Sequence, residues 1–81
     1  MLSINQEKRA IKILETVFRR KINNWVEFTR SNVQDWDSLK NLELMLMIEE
    51  ETGSTISEDD LAEIHNLNSL ITYLVTLESK K

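Results

Sequence analysis

Ser38 stands between Asp37 and Leu39, at the head of a leucine- and methionine-rich run that closes on three glutamates at 49–51. A hydroxyl at a helix start is exposed. A phosphate ester built on it would sit at the positive end of the helix, near backbone N–H groups that have no intrahelical partner. Such a position tolerates a phosphodiester well. The plainer use of the same residue is as an N-cap, a role serine often fills. Asp35, Asp37 and Ser38 are all cap candidates, and the two acids make the first turn negative.

Few other residues could carry chemistry. There is no cysteine and a single histidine, His65, which excludes thiolate sites and disulfides and leaves no paired-histidine metal site. Asp35-x-Asp37 begins like a calcium loop, but Lys40 falls where the loop requires glycine and Leu46 where it requires the closing glutamate. No serine has a plausible base, and there is no glycine-rich phosphate loop. The chain reads as a protein that is not itself an enzyme.

The elements that must position Ser38 are helical. The chain has 81 residues, one glycine and no proline, so turn-rich β architecture is disfavoured and the expectation is all-α, one domain over 1–81. Residues 4–22 show an apolar stripe of Ile4, Ile11, Leu14, Phe18 and Ile22, with Val17 beside it. Residues 23–37 have no clear period but hold Trp25, Val26, Phe28, Val33 and Trp36. A connection of that length is uncommon without a role, and its aromatics should lie on the core. A second helix runs over 38–52 and ends at Gly53, the expected left-handed cap. Ser57 caps a short third helix with Leu61 and Ile64 inward. Asn66 caps a fourth, striped by Leu67, Leu70, Ile71, Leu74 and Leu77, before Ser79, Lys80 and Lys81 fray. The expected fold is a bundle of three main helices and one short one, with Leu14, Phe18, Leu44, Ile48, Leu70 and Leu74 in the core.

At about 100° per residue from Leu39, Leu44, Ile48 and Met45 share one arc of the second helix. Leu39, Leu42 and Leu46 form another, interleaved with Glu43, Glu49 and Glu50. One core needs only one stripe. The second arc is either core wrapped by the short helices or a docking face, with leucines for contact and carboxylates for steering. Charge is segregated to match. Residues 1–34 carry net +4, residues 35–63 net −9 and residues 64–81 net +1. The acidic middle disfavours nucleic acid and favours partners with basic surfaces. The longest apolar run, Leu44–Ile48, is too short to span a membrane, and no leader pattern is visible, so a cytoplasmic protein is expected.

Asp37-Ser38-Leu39 followed by Leu42-Glu43-Leu44 and Ile48-Glu49-Glu50-Glu51 resembles the acyl carrier and peptidyl carrier protein family. The likeness continues through Ile56, the acidic Glu58-Asp59-Asp60 turn, Ile64 and the segment 70–74. It covers roughly residues 35–75 without gaps. The first helix and the long connection fit in length and pattern only. The sequence departs at Trp36, where many members have glycine, at Lys40, which is often acidic in fatty-acid carriers, at Thr52, and in lacking proline. Its Trp-Asp-Ser-Leu form is similar to stand-alone carriers of specialised pathways.

The resemblance implies 4′-phosphopantetheine bound covalently on Ser38, making the chain a phosphoprotein, with Asp37 and Leu39 flanking the site. It implies acyl or aminoacyl groups held as thioesters, in fatty-acid or specialised-metabolite biosynthesis. The implied partners are a phosphopantetheinyl transferase, an acyl- or aminoacyl-loading enzyme, and downstream transferases or synthases. They would meet Leu42, Glu43, Leu46, Glu49 and Glu50 on a monomer, with no role for nucleic acid or membrane. The rival reading is a small helical adaptor in which Ser38 only caps a helix.

Overall fold

The computed structural model describes residues 2–79, with side chains from residue 5 onward. The expectations for the Ile4 side chain and for Lys80 and Lys81 lie outside what is described. Among the described residues four helices form: α1 (Leu2–Phe18), α2 (Ser38–Thr52), α3 (Glu58–Ala62) and α4 (Leu67–Ser79). No strand occurs among the described residues, so the molecule is an all-α, small helical bundle.

α1 is the central element, packed against both α2 and α4. Two neighbours demand a wide apolar face. The buried set is Ala10, Ile13, Leu14, Val17 and Phe18, the i, i+3, i+4, i+7, i+8 pattern of one helix face. Ile13 is wholly buried, whereas Ile11, the residue assigned to the stripe from sequence, is only partly so. The helix also stops earlier than the stripe implied. Arg19 adopts a left-handed φ of 58°, and Arg20 N–H donates to the Glu15 carbonyl at 3.2 Å, closing the last turn from six residues' span. Ile22 is buried from the connection, not from the helix.

The other boundaries follow their caps. Gly53 has φ 71° and donates to the Glu49 carbonyl at 2.8 Å, as a C-terminal glycine should. Thr52 reinforces that end: its hydroxyl donates to the Ile48 carbonyl at 2.7 Å and accepts from Ser54 N–H. Ser57 Oγ accepts from Asp60 N–H at 3.1 Å and starts α3. Asn66 Oδ1 accepts from Ser69 N–H at 2.8 Å and starts α4. Ser69 Oγ returns the favour by accepting from His65 and Asn66 N–H. Ser79, expected to fray, is the last residue of α4 and donates to the Val75 carbonyl.

The connection from 19 to 37 is packed, as its aromatics suggested. Phe28 meets Phe18 edge to face at 5.0 Å, and Trp36 lies 5.2 Å from Phe18 and 5.6 Å from Phe28. Trp25 closes on Phe28 at 5.7 Å. Each such pair adds about 0.5–1.5 kcal/mol beyond burial. Val26 is the exception: it is 84% exposed, so its place in an apolar segment does not make it core. Two acids fasten the segments that follow the long helices, each across seven residues. Glu15 accepts from Ile22 N–H and Glu49 from Ile56 N–H, both at 3.0 Å.

Arg20 pins the same connection to the start of α2. Its guanidinium lies over the Phe18 and Phe28 rings at 5.5 and 5.7 Å and bonds both oxygens of Asp35, at 3.0 and 3.3 Å. The hydrogen bonds from Arg20 hold the Asp35 carboxyl below its ordinary range. A carboxylate so depressed stabilises the fold above its unfolded-state pKa, and the contribution is lost as pH falls through the lower folded value. The pair is half-exposed, so it is worth about 0–1 kcal/mol. Asp35→Asn should therefore be slightly less stable than wild type in denaturant titrations at neutral pH. The two curves should converge in acid, and a gap that stays constant with pH would contradict the pairing.

Candidate functional site

Asp37, not Ser38, is the N-cap of α2. Asp37 is extended (φ −107°, ψ −168°), and its Oδ1 accepts from Lys40 N–H at 3.0 Å. Its carbonyl takes the first intrahelical bond, from Asn41 N–H at 2.9 Å. This corrects the reading of Ser38 as a plain cap: an aspartate one residue earlier occupies that role, which leaves Ser38 as the first helical residue. Ser38 is exposed and its hydroxyl makes no hydrogen bond among the described residues. The Ser38 and Leu39 N–H groups are likewise without a protein partner there.

The result is an unencumbered oxygen nucleophile at the positive end of a 15-residue helix, with two free donors beside it. That arrangement suits a phosphodiester on Ser38 Oγ. Asp37→Ala should cost about 1 kcal/mol as a lost cap, while Ser38→Ala should cost less, since no hydrogen bond goes with it. Thermal unfolding of the two variants side by side checks this, and a larger loss for Ser38→Ala would contradict the cap assignment.

The α2 N-terminus is held in place from below. Trp36 is buried at 5% exposure, and its indole N–H donates to Asn41 Oδ1 at 2.8 Å, tying the residue before the cap to the first turn. A glycine there could make neither contact. Lys40 folds back: Nζ lies over the Phe18 ring at 5.7 Å and donates to Glu43 at 3.3 Å.

Of the two arcs of α2, Leu44 and Ile48 are wholly buried, flanked by the partly buried Met45 and Met47. Leu39, Leu42 and Leu46 are not core. They are 65%, 46% and 54% exposed, the only large apolar residues besides Val26 so displayed among the described residues. Their rim is unequal. Glu50 is exposed, Glu43 is half-buried against Lys40, and Glu49 is committed to Ile56 N–H. Glu51, to which sequence reasoning gave no contact, bridges to Lys12 of α1 at 3.5 Å.

Sequence reasoning also passed over Arg30. Its Nη2 donates to the Ala62 carbonyl at 3.0 Å and to the Ile64 carbonyl, and its own N–H donates to the His65 carbonyl at 2.9 Å. It clamps the connection onto the C-terminal end of α3, where a cation suits the helix dipole. An isolated arginine in a polar stretch carries no periodic signal that would have marked it. His65 is exposed. Among the described residues no group of three or more His, Cys, Asp or Glu could hold a metal ion, and no helix is long and apolar enough to cross a membrane.

Comparison with known proteins gives one finding. Residues 35–74, from the aspartate that pairs with Arg20 to the buried Leu74 of α4, match the family model for the phosphopantetheine attachment site. No curated protein and no solved structure gives a significant match.

Proposed function

Residues 35–74 form a phosphopantetheine-attachment domain, consistent with the acyl and peptidyl carrier protein family, and from that premise we propose that the whole 1–81 chain is a single carrier domain with Ser38 as its attachment site. Domains of this kind bear 4′-phosphopantetheine covalently on a serine, and they are carriers, not enzymes. They work with a phosphopantetheinyl transferase and with biosynthetic enzymes. The arm supplies a terminal thiol on which acyl groups ride as thioesters.

The observation that carries the assignment is the division of labour at the α2 start: Asp37 caps, so Ser38 Oγ is free and exposed. Of the other serines in the matched segment, Ser57 is occupied as a cap, and Ser69 Oγ accepts from His65 and Asn66 N–H and donates to Asn66 Oδ1. Ser54 follows the α2 C-cap, where no helix N-terminus awaits a phosphate. Incubation with a transferase and coenzyme A, then fragmentation of the tryptic peptide 31–40, separates Ser38 from Ser31. The added mass should fall on Ser38, and finding it elsewhere would refute the site.

The exposed arc of α2 is the docking face in this reading. Leu39, Leu42 and Leu46 make apolar contact next to Ser38, and Glu43 and Glu50 steer basic patches on the transferase and loading enzymes. Glu49 contributes charge while remaining bonded to Ile56. Acyl or aminoacyl cargo, action as a monomer, and service in a cytoplasmic specialised pathway complete the proposal. Single exposed charges are worth about 0–1 kcal/mol, so their joint effect belongs in the association rate and its salt dependence. The double change Glu43→Lys and Glu50→Lys should slow modification strongly at low ionic strength and little at high. Equal rates at low salt would leave the acids as mere solvated surface.

A further inference from the structure

We propose that the groove between the α1–α2 connection and α3 receives an acyl cargo ending in a carboxylate, carried on the arm at Ser38; the proposal rests on the carrier reading above. The groove has a volume of about 600 Å³ and is lined by Thr29, Arg30, Ser31, Trp36, Ala62 and His65. No acid is among these, although residues 35–63 carry net −9. Against that background a carboxylate-free recess with a cation in its wall is a distinct chemical environment.

Arg30 is that cation, and it is pre-positioned. The Ala62 and Ile64 carbonyls hold one end of its guanidinium, while Nε is buried without a hydrogen-bond partner. It forms no ion pair among the described residues. Nη1 makes no hydrogen bond among the described residues and is the donor left for a ligand, and a permanent charge whose position is already fixed by backbone suits a carboxylate better than a mobile lysine would. Thr29 and Ser31 hydroxyls share one hydrogen bond at 3.2 Å, which leaves one hydroxyl proton of the pair to donate outward. The Trp36 indole N–H is spent on Asn41, so the ring offers only its apolar surface, suited to the carbon segment that joins thioester to carboxylate. Ala62 keeps the opposing wall low.

A plain alkyl chain fits this lining poorly. It would take water from the arginine and the hydroxyls and return no hydrogen bond, a net cost for buried polar groups. Access is short: Trp36 precedes Ser38 by two residues, so their Cα atoms are at most about 7 Å apart.

The test uses the full chain loaded by a transferase from coenzyme A and from its butyryl and succinyl analogues, in which an amide that resists hydrolysis replaces the thioester; each transfer releases 3′,5′-ADP and leaves the arm alone, the butyryl arm or the succinyl arm on Ser38. Intact mass confirms each load first, and a chain that accepts no arm refutes the carrier reading and not the groove. Proton–nitrogen correlation spectra then report Thr29, Ser31, the Arg30 side-chain N–H and the Trp36 indole N–H. These signals should shift with succinyl and stay near their arm-only positions with butyryl. Ala62→Phe, a change on the exposed face of α3 that fills the recess, should abolish the succinyl shifts while the thermal midpoint is kept; Ser31→Ala should reduce them without touching the Arg30 clamp. Equal shifts for both cargoes, shifts already complete with the arm alone, or succinyl shifts that survive Ala62→Phe would each overturn the assignment.

Discussion

Ile48→Ala should lower the stability of this domain by about 2–5 kcal/mol, with a fall in melting midpoint to match. Ile48 is fully buried on the inner arc of α2, one turn beyond the equally buried Leu44 and opposite α1. Truncation removes three carbons from the packed core that Ile48 shares with Leu14 and Phe18 of α1, and the cavity left behind adds to the lost burial. Small domains have only about 5–15 kcal/mol in total, so the loss is a large share. Leu46→Ala, two residues away on the same helix, should change stability little, because Leu46 is 54% exposed. The contrast between the two is the test. Similar midpoints for both variants would mean that the two faces of α2 have been assigned the wrong way round.

That contrast was partly legible from sequence. Period and spacing separated Leu44 and Ile48 from Leu39, Leu42 and Leu46, but they could not say whether the second arc was covered. The answer depends on how few neighbours α2 has: α1 packs on one side of it, while α3 is five residues long and too short to wrap the other. The caps at Gly53, Ser57 and Asn66 were readable because each is a local contact within a few residues. The end of α1 was not, since Arg19 takes a left-handed conformation usually left to glycine or asparagine. Ile13 was missed because a stripe drawn for one neighbour omits the residue that a second neighbour buries.

Long-range polar contacts were the least visible. Arg30 reaches α3 across more than thirty residues, and buried Gln6 donates to Glu78 of α4 at 3.3 Å. No spacing rule encodes a partner that distant. At the site itself the three-residue motif was visible, but the choice of cap among Asp35, Asp37 and Ser38 required coordinates. Asp35 is occupied by Arg20 and Asp37 by Lys40 N–H, and Ser38 is what remains.

The second large effect concerns that serine. Ser38→Ala should abolish modification outright, because the bond to phosphorus has no other oxygen at the α2 N-terminus to form on. Asp37 is one residue away, but its carboxylate is engaged and its phosphoric anhydride would not survive in water as an ester does. Folding should be nearly unaffected, since Asp37 still caps the helix and the alanine is a good helix former at the first position. A loss of modification in a protein with an unchanged melting midpoint thus separates chemistry from structure. An adaptor that uses this surface only for contact would show neither a modified wild type nor a difference between the two chains.

Intact mass after coexpression with a broad-specificity phosphopantetheinyl transferase is the direct measurement, made in parallel on wild type and Ser38→Ala. The carrier account requires one added phosphopantetheine on the wild-type chain and none on the variant. A wild-type chain that stays unmodified, or a Ser38→Ala chain that gains the same mass, would contradict it.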